Sequence, residues 1–189
     1  MAPYHHIAVH FPVALLGIAF LVLMLRGTTR NDRVERLEGL AIVPLLSIGI
    51  AGAVAAQVTG LLIWPLDAAL TSTMGRNKLL MASWLVATWA LVLILRILAG
   101  PAIWNGRGRI VLLGLGAFGA FLLATVGSLG GHLLGAPSRL SDLLHQLGWS
   151  VYQTFYAPDP VLTAMVAVGA AAIVVGLLVP GASSHKETR

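Results

Sequence analysis

Residues 109–134 read RIVLLGLGAFGAFLLATVGSLGGHLL, and this stretch decides the class of protein. After Arg109 its only titratable side chain is that of His132. A helix rises about 1.5 Å per residue, so about 20 apolar residues are enough to cross the hydrocarbon of a bilayer. The stretch is therefore predicted to be a transmembrane helix with a histidine close to its end.

Four further apolar stretches are long enough to span a bilayer, and they cover residues 3–26, 39–64, 78–98 and 160–179. Residues 140–149 are too short to span and have leucines at helical spacing, so they are predicted to form an interfacial helix. The predicted fold is all-α: an integral membrane bundle of five transmembrane helices, with a four-helix core and one added C-terminal helix. Residues 1–181 form the single transmembrane domain, and residues 182–189 form a flexible cytoplasmic tail.

Composition excludes several other classes of protein. Of the 189 residues, 58% are hydrophobic and 10% are charged, which is too little charge to coat a soluble domain. The absence of cysteine excludes disulfides, iron–sulfur clusters and covalently attached c-type heme. The net charge is +5, but the basic residues lie between apolar stretches and form no stripe for nucleic acid.

The basic residues also predict the orientation of the chain. With the N-terminus outside, nine basic residues fall on the inner side and three on the outer side, which agrees with the positive-inside rule. No basic residue precedes Arg26, so the first span is predicted to be retained and not cleaved as a signal peptide. The inner group is Arg26, Arg30, Arg33, Arg36, Arg96, Arg107, Arg109, Lys186 and Arg189, and the outer group is Arg76, Lys78 and Arg139.

This orientation brings five of the six histidines to the outer face: His5, His6, His10, His132 and His145. Arg26 and His10 are sixteen residues apart, or about 24 Å of helix, so His10 is predicted to lie just inside the hydrocarbon, at a depth close to that of His132. Polar residues inside a span usually have a partner or a function. Two imidazoles from different helices are suitable axial ligands for heme iron, so His10 and His132 are the candidate pair.

Small residues accompany both histidines and favour a slot for a flat cofactor. Ala14 and Gly17 follow His10 on the same helical face, and Gly127, Gly130 and Gly131 precede His132. Close helix packing is an equally common reason for glycine in a membrane span.

Polar and basic residues on the outer side are further candidates for the cofactor site. Arg76, Lys78 and Arg139 could neutralise heme propionates, or extend to lipid phosphates as basic side chains commonly do. Gln57 and Thr59 could orient an imidazole or bind a propionate, or bond to neighbouring carbonyl groups.

The first span resembles a known bacterial membrane family. Residues 5–15, HHIAVHFPVAL, resemble the His-Pro-x-x-Val-His-Phe-Pro-Ile-Ala-Leu opening of the family catalogued as domain of unknown function 2231. The resemblance continues at residues 58–61 (VTGL) and 130–133 (GGHL), and it covers roughly residues 4–135. It implies a four-helix protein associated with electron-transfer chains and b-type heme. The chain departs from the family pattern at His6, at Ile63 and at residues 134–137, where a family histidine is missing.

The leading hypothesis is a membrane-embedded b-type cytochrome subunit of the bacterial inner membrane. It would hold one heme b on the periplasmic side and pass electrons between a periplasmic redox protein, or a cytochrome c-type subunit, and the quinone pool or another carrier. Such a chain would be a non-catalytic electron-transfer subunit of a larger respiratory-chain complex, with membrane lipid around it, and a bound quinone is a further candidate cofactor.

Two alternatives remain open at this point. His6 and His10 lie at i and i+4 with His5 adjacent, a spacing that suits copper or zinc, and His145 is a lesser candidate for the same role. Alternatively, the chain could be a cofactor-free membrane anchor of a redox complex, in which the histidines only bind carbonyl groups or lipid headgroups.

Overall fold

The computed structural model describes residues 2–148 and, after them, five isolated positions: Gln153, Pro160, Thr163, Ala164 and Ala167. All regular elements in this part of the chain are helices. They are α1 (Ala2–Thr28), α2 (Asp32–Ile63), α3 (Leu66–Thr71), α4 (Thr73–Ala99), a 3₁₀ helix (Gly100–Trp104), α5 (Arg107–Leu133) and α6 (Arg139–Gln146).

Four of these helices, α1, α2, α4 and α5, are long and apolar enough to cross a membrane. The all-helical class and the first four predicted spans are confirmed at this level. The predicted fifth span at 160–179 and the tail at 182–189 lie outside the continuously described residues. The count of five and the single domain over residues 1–181 therefore stay predictions.

Helix ends differ from the predicted limits where capping side chains extend the helix beyond its apolar stretch. Asn31 accepts the backbone N–H of Arg33 at 2.8 Å, so α2 begins at Asp32, before the predicted residue 39. Ser72 caps α4 through the N–H of Gly75 at 3.0 Å, and that helix begins at Thr73. The predicted interfacial helix is α6, whose N-terminal cap is Ser138.

Glycines set the distance between neighbouring helices in the core. A Cβ atom on Gly49 would lie 2.7 Å from the side chain of Leu16, and one on Gly119 would lie 2.7 Å from the ring of Trp89. Both partners have no exposed surface. Backbones can approach closely only where the side chain is this small, which is the usual way helices pack in membranes.

A buried ion pair joins α2 to α4. Arg96 donates from Nε to Glu38 Oε1 at 2.6 Å and from Nη2 to Oε2 at 3.1 Å. Glu38 is 2% exposed and Arg96 is 7% exposed. The sequence predicts Arg96 as a charge on the inner side of the membrane, but the carboxylate of Glu38 on the neighbouring α2 lets it lie inside the bundle. Two opposite charges in a bidentate pair offset much of the cost of removing each from water.

Candidate functional site

The two ends of the bundle carry different titratable residues, and we name them by these residues. The arginine end contains the C-terminus of α1 and the N-termini of α2 and α5, with Arg26, Arg33 and Arg107. The histidine end contains the N-terminus of α1, the C-terminus of α5, and α6, and it carries His5, His10, His132 and His145. Contacts between α1 and α5 show that these helices are antiparallel. This arrangement brings histidines from distant parts of the sequence to the same end of the bundle.

Contacts between α1 and α5 show that the two helices run antiparallel. A Cβ on Gly27 would meet Leu113, and one on Gly116 would contact Leu23 and Met24, so residue numbers in the two helices run in opposite directions with a sum near 140 at the arginine end. The same register continued to the histidine end predicts His10 near the level of Gly130, about 3 Å along the helix from the level of His132. The similar depth of the two histidines stays a prediction.

Glycines on α1 and α5 differ in how closely other atoms surround them. A Cβ on Gly27 would clash with Leu113, whereas Cβ atoms on Gly17 and Gly127 would meet nothing within 4 Å. Ala14, on the same face of α1 as Gly17, is exposed. We use the name small-residue slot for the positions Ala14, Gly17 and Gly127.

The two predicted axial ligands occupy different environments within the histidine end. His10 is exposed, and it shares its face of α1 with Ala14 and Gly17. His132 is half-buried and lies one turn after Ser128, whose hydroxyl bonds to that of Ser138 at the start of α6. The face of α5 that carries His132 is therefore the face that α6 approaches. Ligation of one iron by both imidazoles stays a prediction.

Gly131, a predicted cofactor neighbour, has a structural reason of its own. Its Cβ would lie 2.7 Å from the carbonyl oxygen of Ala136, and its own carbonyl accepts the N–H of Ala136 at 2.9 Å. The chain turns back over this residue at the end of α5, so the turn alone accounts for the glycine. Gly130 is instead covered by the ammonium of Lys78, 3.5 Å from the Cβ position.

His5 is held against α2 by a hydrogen bond to Thr59. The Thr59 hydroxyl donates to the carbonyl of Ala55 at 2.8 Å, and its oxygen lies at hydrogen-bond distance, 3.1 Å, from His5 Nδ1. Gly60 provides the room, because its Cβ position is only 3.1 Å from the imidazole ring. Two of the roles predicted for Thr59 are therefore seen: its hydroxyl bonds to a neighbouring carbonyl group, and its oxygen is placed to orient an imidazole.

The remaining candidate residues of the cofactor site differ in their exposure and in their contacts. Gln57 donates from Nε2 to the Ser83 hydroxyl at 3.1 Å, so its amide nitrogen joins α2 to α4 and is not directed to the small-residue slot. Lys78 is half-buried across α5, whereas Arg76 and Arg139 are exposed. His145 is exposed on α6. His6 belongs to α1, but its side chain lies outside what the structure describes.

An apolar groove runs between α1 and α2 at the histidine end. It has a volume of about 440 Å³, and its walls are formed by Tyr4, Ile7 and Phe11 from α1 and by Ile48, Gly52 and Ala55 from α2. Tyr4 contributes the one hydroxyl group among these six side chains. Such a groove suits an apolar chain better than a polar substrate.

Within the described residues, no group of three or more His, Asp or Glu side chains is arranged to hold a metal ion. A heme needs only two protein ligands, so the geometry of its site differs from that of a multi-histidine metal centre. Four helices of the described part are long and apolar enough to cross a membrane, and one end of their bundle carries imidazoles and a half-buried lysine.

In comparisons with known proteins, no family model, no curated protein and no solved structure matches the chain. The resemblance of residues 4–135 to domain of unknown function 2231 stays a prediction.

Proposed function

We propose that this chain is a membrane-embedded b-type cytochrome subunit that carries one heme b at the histidine end. One observation supports the proposal: α1 and α5 run antiparallel, so His10 near the start of α1 and His132 near the end of α5 belong to the same end of the bundle. Imidazoles supplied by two different helices are suitable ligands for heme iron.

The residues present fit the chemistry of such a group. His10 and His132 would supply the two axial nitrogens, and the ammonium of Lys78, which lies over Gly130, would neutralise a propionate. Arg76 and Arg139 are exposed at the same end and could serve the second propionate or lipid phosphates. When bound, the heme would supply one-electron transfer; the chain itself would position the imidazoles and keep bulky side chains away.

The electron-transfer partners follow from the location of the site. A heme at the periplasmic surface of the bacterial inner membrane would exchange electrons with a periplasmic redox protein or a cytochrome c-type subunit of a larger complex. The carrier inside the membrane would be a quinone, and the apolar groove between α1 and α2 could accept its isoprenoid tail. The resemblance to a family associated with b-type heme supports the same reading.

Optical spectroscopy tests this function directly. The full chain, purified in mild detergent and reduced with dithionite, is expected to show the sharp α-band of a low-spin b-type heme at about one heme per chain. Stoichiometric copper or zinc without such a band would contradict the proposal and favour the metal-binding alternative. Protein without heme and without metal would contradict it in favour of the cofactor-free anchor.

We propose that five spans are present, from the five apolar stretches, and that the N-terminus is periplasmic, from the nine-to-three distribution of basic residues. A reporter fused after Arg189 should then be active only in the cytoplasm. A reporter inserted between Ala136 and Leu140, next to α6, should be active only in the periplasm. Cytoplasmic activity at both positions would exclude this orientation and move the histidine end to the inner face.

A further inference from the structure

Five arginines at the arginine end are separate from the proposed heme site. Arg30, Arg33, Arg36 and Arg107 are exposed, and Arg109 is half-buried. Within the described part of the chain, none of the five takes part in an ion pair, because Glu38 pairs with Arg96 and Glu35 pairs with Arg26. Asp32 is the remaining carboxylate near them. We call these five residues the arginine surface.

Arg26 lies between the arginines near the start of α2 and the arginines at the start of α5. Its Nη2 lies 3.2 Å from Glu35 on the first turns of α2, and its guanidinium lies over the Trp104 ring, 5.6 Å from the centroid, just before α5. Gly108 allows α5 to start close to the preceding 3₁₀ helix, because a Cβ there would lie 2.4 Å from the carbonyl oxygen of Ile103. The arginines at the beginning of α2 and of α5 thus flank one packed centre.

Exposed apolar side chains continue directly from the arginine surface along both helices. Leu37 and Leu40 follow Arg36 and are 50% and 79% exposed, and Ile110 follows Arg109 and is 70% exposed. A ligand that covers this region must therefore be anionic at one end and apolar over the next turn. Nucleic acids and free anions lack the apolar part, whereas a phospholipid has both.

We propose that the arginine surface binds the headgroup phosphate of anionic phospholipids, with their acyl chains against Leu37, Leu40 and Ile110. Guanidinium groups form bidentate hydrogen bonds with phosphate oxygens, and these bonds strengthen in the low dielectric of the membrane interface. The excess of arginine over carboxylate selects anionic over zwitterionic headgroups.

The test uses the full chain in nanodiscs of phosphatidylcholine that contain a minor fraction of phosphatidylglycerol. Native mass spectrometry after extraction counts the phosphatidylglycerol molecules retained, and thermal unfolding reports the stabilisation. We expect the variant R107Q/R109Q to retain phosphatidylglycerol roughly 10- to 30-fold more weakly than the wild type.

Further arms separate the possible outcomes. The variant R107K/R109K keeps both charges and should recover most of the retention, which excludes misfolding as the cause of the loss. Equal retention by R107Q/R109Q and the wild type would overturn the proposal. So would equal stabilisation by pure phosphatidylcholine, or by inorganic phosphate alone, since the latter would assign the surface to a free anion.

Discussion

Replacing Arg96 with methionine is expected to lower the free energy of unfolding by about 3–5 kcal/mol, because the Glu38 carboxylate would remain buried without its partner. Glu38 is 2% exposed and accepts two hydrogen bonds from Arg96, so solvent cannot replace the lost guanidinium. The free energy of unfolding is measured by titration with sodium dodecyl sulfate in mixed micelles. Replacing Glu38 with methionine should lower the free energy of unfolding by a similar amount.

The double variant E38M/R96M should recover most of the stability, because neither charge then has to be buried. This thermodynamic cycle isolates the coupling of the pair from the effect of each side chain alone. Arg26 and Glu35 provide a matched control, since Glu35 is exposed and its substitution by glutamine should cost no more than about 1 kcal/mol. A double variant as unstable as the sum of the two single variants would show that the pair is not coupled.

Replacing His10 or His132 with alanine is expected to abolish the sharp reduced α-band, and the heme-to-protein ratio should fall from about one toward zero. Each variant would remove one of the two imidazoles proposed to hold the heme, and water in its place would not maintain a low-spin iron. The measurements are the reduced spectrum and the pyridine haemochrome content of each purified variant. Size-exclusion profiles establish that the loss is not caused by aggregation.

Controls on the other histidines distinguish ligation from a general effect of losing imidazole. His145→Ala, on the exposed face of α6, should leave the band and the heme content unchanged. His5→Ala removes the bond to Thr59 and should keep low-spin heme, with at most a shift in reduction potential. A His132→Ala protein with full heme content and an unchanged low-spin spectrum would show that the ligand assignment is wrong.

The positions of the long helices could be predicted because they follow from composition alone. A run of about 20 apolar residues such as 110–131 has few alternatives in a membrane, since every backbone polar group must be satisfied within the helix. Boundaries such as the start of α2 at Asp32 were less accessible, because the cap at Asn31 lies in a polar segment that hydropathy assigns to a loop.

Roles that depend on a neighbouring helix could not be read from the chain in the same way. Glu38 lies next to an apolar stretch and looks like an interfacial charge, until α4 brings Arg96 to 2.6 Å from it. Glycines illustrate the same point: Gly119 receives Trp89, Gly131 allows a turn, and Gly17 has open space around it. Glycine thus serves three different purposes in this protein, and only the atoms around each glycine distinguish them.

The sequence by itself determined that this protein is helical, belongs in a membrane, and carries histidines toward one end and arginines toward the other. These properties depend on hydrophobicity and on distance along a helix, both of which are local. Tertiary structure alone decided that Thr59 lies against His5, that Gln57 binds Ser83, and that Arg96 is buried against Glu38. Side-chain partners on different helices depend on the rotation and register of each helix, which arise from packing among many residues at once.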